Sequence, residues 1–148
     1  MVHALEEIHR LLTSAGRLID IHPVAQASPV EIHQGGITHL AGLLDVRQWC
    51  VDYQEADKAL TEVVQRGLFA VEGKGLFDSL TYYGSVPEMR TSLHESLDKF
   101  ARDAESAVVD LPQVEALMGP AQAMMDAAGS GAELRIRERI HIARLRPT

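Results

Sequence analysis

The stretch ALEEIHRLLTSAGRLIDIHP, residues 4–23, decides how this chain of 148 residues is read. Leu5, Ile8, Leu11 and Leu12 recur at helical spacing, so an amphipathic helix is expected first. Gly16 is expected to end it in the left-handed conformation that glycine adopts most easily. Leu18, Ile19 and Ile21 then read as a short buried strand, closed by Pro23. A helix feeding a strand is the middle of an α/β repeat, yet here it stands at the front of the sequence.

The elements beyond it follow from the same signals. Residues 29–43 hold two β-like runs around Gly35-Gly36, a pair suited to a two-residue hairpin turn. Asp45 reads as the cap of a second helix. Its apolar face carries Val46, Trp49, Cys50, Tyr53, Leu60, Val63 and Val64, and Gly67 ends it. Residues 68–71 and 76–83 read as two strands separated by a break at Gly73-Lys74-Gly75. Ser85 and Glu88 form a capping box for a helix that buries Met89, Leu93, Leu97, Phe100 and Ala104. Pro112 opens another, with Val114, Leu117, Met118, Ala121, Met124 and Met125 inward and Gly129-Ser130-Gly131 at its end. Finally, Leu134, Ile136, Ile140 and Ile142 alternate with Arg135, Arg137, Arg139 and His141, the pattern of a long half-buried strand. The expectation is one domain over residues 1–148, of α/β or α+β class. It has a small mixed sheet with an antiparallel last strand and about four helices.

Composition narrows the function. Apolar residues make up 46% of the chain, as in globular proteins. Fourteen Lys and Arg stand against 21 Asp and Glu, a net charge of −7, which argues against nucleic acid or an anionic membrane as the main partner. No apolar run reaches the ~18 residues of a membrane span. The first residues lack a signal-peptide pattern, so the cytoplasm is the expected compartment. A single cysteine, Cys50, excludes an internal disulfide framework, and it reads as a buried inert thiol.

Residues 4–23 resemble the segment of class I S-adenosylmethionine-dependent methyltransferases that runs helix, Leu-x-Pro-Gly-Gly turn, strand five. Here the turn is Leu12-Thr13-Ser14-Ala15-Gly16, which keeps only the last glycine. The later order of elements is similar to that family as well, whose last strand, here ending RERIHIARLRP, runs antiparallel between strands five and six. The family holds its cofactor by a Gly-rich turn after strand one and an acidic residue after strand two, and no Gly-x-Gly-x-Gly occurs here. The resemblance therefore implies a C-terminal half whose cofactor half is missing. Such a chain is expected to bind no S-adenosylmethionine and to transfer no methyl group alone, unless a separately encoded N-terminal half supplies the rest. A second reading is a small dimeric, non-enzymatic module that binds an apolar ligand. In either case a homodimer is expected, because the strand at residues 17–21 lacks the family's strand four beside it. The hairpin at residues 30–44, folded back, is the other cover that edge can have.

The candidate site residue is His22, at the end of the first strand, where the family's substrate pocket begins. It reads either as a pocket acid, base or hydrogen-bond donor, or as a histidine bonded to backbone. His22, His33 and His39 with Asp20 or Glu31 suggest a metal site only loosely. His33 and His39 are candidate cross-strand neighbours, but no full ligand shell is legible, so no metal is expected. Arg135, Arg137, Arg139 and His141 read as an anion-binding face, or else as a solvated face or one covered by acidic helices. No catalytic residue can be named.

Overall fold

The computed structural model describes the backbone of residues 1–45, 51–103 and 111–148, and the side chains of 1–45, 53–99 and 111–148. Among them are four helices and five strands, a mixed α+β composition whose strands pair antiparallel. No described helix is long and apolar enough to cross a membrane. The elements fall into two compact units, each drawn from separate stretches of the sequence.

The first unit comprises Met1–Ala25, Cys50–Asp78 and Arg139–Thr148. Helix α1 (Val2–Leu11) ends at Leu12, which is already extended. Gly16 does not take the left-handed conformation expected of it. It is small for another reason: a Cβ there would stand 2.8 Å from Leu12 Cδ2 and 3.1 Å from the Thr13 carbonyl oxygen. Strand β1 (Leu18–Pro23) is not the buried strand expected, because Ile19 is 49% and Ile21 57% exposed. Its inward positions are Leu18, Asp20 and His22. Helix α2 (Val51–Gln65) ends as expected at Gly67, with φ of +74°. The Leu68 N–H donates to the Val63 carbonyl and the Gly67 N–H to Val64, the paired bonds of a Schellman ending. Val46, Trp49 and Cys50 of its expected face lie outside the described residues, as does the chain just after Asp45 where the helix was to be capped.

Strand β4 (Phe69–Tyr83) is continuous, without the expected break at Gly73-Lys74-Gly75. Neither glycine takes a positive φ, so nothing there turns the chain. Strand β5 (Glu133–Pro147) pairs with β1, Leu18 opposite Leu145 and His22 opposite His141. It pairs with β4 as well. Asp78 lies beside Arg139, Gly75 beside Ile142 and Glu72 beside Arg144, an antiparallel progression. Within this unit β5 therefore runs between β1 and β4. The core gathers Leu5, Ala59, Val63, Phe69, Ala143 and Leu145. Each large side chain buried so contributes roughly 1.5–3 kcal/mol.

The second unit comprises Gln26–Trp49 and Ser79–Glu138. Strands β2 (Ser28–Gln34) and β3 (Ile37–Leu44) form the expected hairpin. Gly35 and Gly36 both have positive φ, +58° and +83°, the type I′ geometry that matches strand twist. Strand β2 also pairs with β5, Val30 opposite Ile136, so the hairpin's partner is β5. Helix α3 (Val86–Asp103) opens with the expected cap: the Glu88 N–H donates to Ser85 Oγ at 3.2 Å. The Glu88 carboxylate accepts from the Gly84 N–H rather than from Ser85 itself. Met89, Leu93 and Leu97 are buried as expected; the Phe100 side chain and Ala104 lie outside the described residues. Helix α4 (Leu111–Ala128) buries Val114, Leu117 and Ala121 and leaves Met118, Met124 and Met125 half-buried.

Burial along β5 changes parity. Leu134 and Ile136 are buried in the second unit as expected, whereas Ala143 and Leu145, rather than Ile142, enter the core of the first. A fixed alternation read from residues 134–142 misses this change.

Candidate functional site

Strand alternation places Asp20 and His22 on the same face of β1. The β1–β5 register then sets His141 directly opposite His22. These three side chains converge: one ligand atom from each lies within 4.8 Å of the other two. His22 is the most enclosed, 6% exposed, with Asp20 and His141 half-buried beside it. His22 Nδ1 stands 2.8 Å from Asp20 Oδ2, and His141 Nδ1 stands 3.6 Å from the same oxygen. The two imidazoles lie with centroids 5.2 Å apart and planes at 51°. On its other side His22 stacks with Tyr53 of α2 at 6.3 Å, and His22 Nε2 lies 3.2 Å from Asp57 Oδ1 of the same helix.

Proximity here is not hydrogen bonding. Asp20 Oδ2, both nitrogens of His22 and His141 Nδ1 are all buried without a partner in hydrogen-bonding geometry. The 2.8 Å separation meets the distance for an ion pair but not the angle for a hydrogen bond. Buried polar groups left in this state cost roughly 1–3 kcal/mol each, and each needs a physical account such as strain, an ordered water or a bound ion.

An apolar cavity of about 140 Å³ adjoins the cluster. Leu60, Val64, Val71 and Ala143 line it together with the polar Asp57, Thr61, Gln65, Lys74 and His141. A small ligand seated there would meet aliphatic side chains and several polar ones, the imidazole of His141 among them.

The other sequence candidates resolve differently. His33 faces Thr38 across the hairpin and meets its hydroxyl at 3.0 Å, whereas His39 is opposite Ile32. The two histidines are therefore on opposite faces of the hairpin, not neighbours sharing an ion. The arginine stripe is held by acids, from strands rather than helices. Arg135 and Arg137 donate to the two carboxylate oxygens of buried Glu31 at 3.1 and 2.9 Å, and Arg139 pairs with Asp78 at 2.8 Å. His141, the last of that stripe, alternates with the same apolar residues but belongs to the Asp20 and His22 cluster.

Asp57 and Tyr53 carried no signal of their own, since a helical aspartate and an aromatic on an apolar face are ordinary. Asp20 was among the loose metal candidates, and the spacing Asp20-x-His22 supports it, because two residues so spaced in a strand share a face. Comparison with protein-family models, curated proteins and solved structures finds no match for the chain.

Proposed function

We propose that this chain carries the C-terminal, substrate-side part of a class I S-adenosylmethionine-dependent methyltransferase fold, and that residues 1–148 hold no S-adenosylmethionine by themselves. The observation that carries this reading is β5, antiparallel between β1 and β4. That is the position the family gives its last strand, between strands five and six. His22 then falls at the carboxyl end of β1, the end at which the family's parallel strands gather their ligands. The sequence supplies no Gly-rich turn to take the methionine or the ribose end of the cofactor. A separately encoded half would complete the sheet along the edge of β1 that has no strand partner among the described residues. Calorimetric titration of S-adenosylmethionine into residues 1–148 tests the proposal. No binding at micromolar concentration is expected, and low-micromolar affinity would overturn it.

A second reading, a dimeric module for a small apolar ligand, draws support from the cavity beside His141 and from exposed Ile19 and Ile21 on β1. Light scattering coupled to size exclusion separates it from the first: a species of twice 16.3 kDa supports the dimer. A soluble 16.3 kDa monomer removes it.

A further inference from the structure

We infer that Asp20, His22 and His141 form a binding site for one divalent first-row transition-metal ion, with Asp57 orienting His22 from behind. The inference stands apart from the methyltransferase reading, since it rests only on the geometry of the first unit.

Three observations carry it. The first is the donor set. Two imidazoles and one carboxylate suit zinc, cobalt, nickel or ferrous iron, while calcium and magnesium select oxygen ligands. The second is spacing. Ligands about 2.1 Å from a common ion, at tetrahedral or octahedral angles, lie about 3.0–3.4 Å from each other. The separations from Asp20 Oδ2 to the two Nδ1 atoms, 2.8 and 3.6 Å, bracket that range. The third is the missing hydrogen bonding. If Asp20 and His22 were an acid–base dyad, the imidazole N–H would aim at the carboxylate; instead both atoms lack a partner. Converging lone pairs without a proton between them repel, and a cation turns that repulsion into coordination.

The remaining nitrogen of His22 fits the same scheme. Asp57 Oδ1 lies 3.2 Å from His22 Nε2, at ion-pair distance but outside hydrogen-bonding geometry. A small turn of the ring on metal binding would bring it into the carboxylate–histidine–metal arrangement that fixes the tautomer of a ligand ring. Three protein ligands leave coordination positions for water or for the polar end of a molecule in the adjoining cavity, which His141 also lines.

The test is titration of residues 1–148, freed of metal with chelator, with Co²⁺ followed by its visible absorption. The expected result is one Co²⁺ bound per chain and a rise in melting temperature of several degrees as it binds. His141→Ala and Asp20→Asn should each weaken binding by more than about a hundredfold, beyond what the loss of an outer partner costs. Asp57→Asn should weaken it by about ten- to a hundredfold. His39→Ala, in the hairpin of the second unit, should leave binding unchanged. If a substitution unfolds the chain, the wild-type stoichiometry and melting shift still decide. No Co²⁺ bound by folded wild-type chain overturns the inference, as does binding that survives in folded His141→Ala and Asp20→Asn chains.

Discussion

Glu31 in the second unit and His22 in the first are almost equally buried, 4% and 6% exposed, and their surroundings are opposite. Both carboxylate oxygens of Glu31 accept from a guanidinium, Arg135 on one and Arg137 on the other. Arg135 donates further to the Thr38 hydroxyl at 3.0 Å. Neither nitrogen of His22 has such a partner, nor does the nearest oxygen of Asp20. Strand β5 contributes to both clusters, arginines to one and His141 to the other. The first arrangement is complete within the chain and explains itself as structure. The second leaves four buried polar atoms without a hydrogen-bond partner, which is the opening the proposed metal ion fills.

That contrast fixes the largest expected effect. Glu31→Ala takes from the Arg135 and Arg137 guanidinium groups the buried carboxylate that both of them bond. Breaking a buried pair from one side costs about 3–5 kcal/mol. The low end, about 3 kcal/mol, applies because Arg137 keeps access to water. A urea midpoint that falls accordingly confirms a structural role for Glu31, and an unchanged midpoint erases the comparison.

His22→Leu is the matched experiment in the first unit. It removes two unsatisfied nitrogens and keeps most of the buried volume, so the metal-free chain should become more stable, by about 1 kcal/mol or more. Metal binding should disappear in the same variant. A loss of several kcal/mol without metal would mean that His22 is bonded within the fold after all.

Acid distinguishes the two units least. The Arg17 guanidinium holds the Glu72 carboxyl below the ordinary 4.5, helped by Arg144 and Arg146. Arg90, and after it His94, does the same for Glu115 in the second unit. Because these folded values are depressed, their support is complete above 4.5 and is lost as pH falls through them. Both carboxylates are exposed, so the effect is small. The urea midpoint should drop modestly between about pH 5.5 and about pH 3. A midpoint that rises instead would contradict these ion pairs.

Much of this was legible in the sequence, because it is local. Gly35-Gly36 specified its hairpin, Ser85 and Glu88 their cap, and Gly67 the end of α2, each through bonds made within a few residues. What was not legible depends on which partner covers a strand. Ile19 and Ile21 have the composition of a buried strand and are exposed, since Leu18, Asp20 and His22 occupy the side that α1 and α2 cover. The glycines of β4 suggested a turn, but they continue the strand. The site itself needed the β1–β5 register, which brings His141 across from His22 although they are far apart in sequence. No local pattern encodes that register.

The central claim is that the unsatisfied cluster of the first unit is a ligand shell. Anomalous diffraction from crystals of the chain grown with Zn²⁺ tests it most directly. The account predicts one anomalous peak within about 2.0–2.2 Å of Asp20 Oδ2, His22 Nδ1 and His141 Nδ1. A cluster without that peak at saturating Zn²⁺, its three side chains instead closed by hydrogen bonds among themselves, would contradict it.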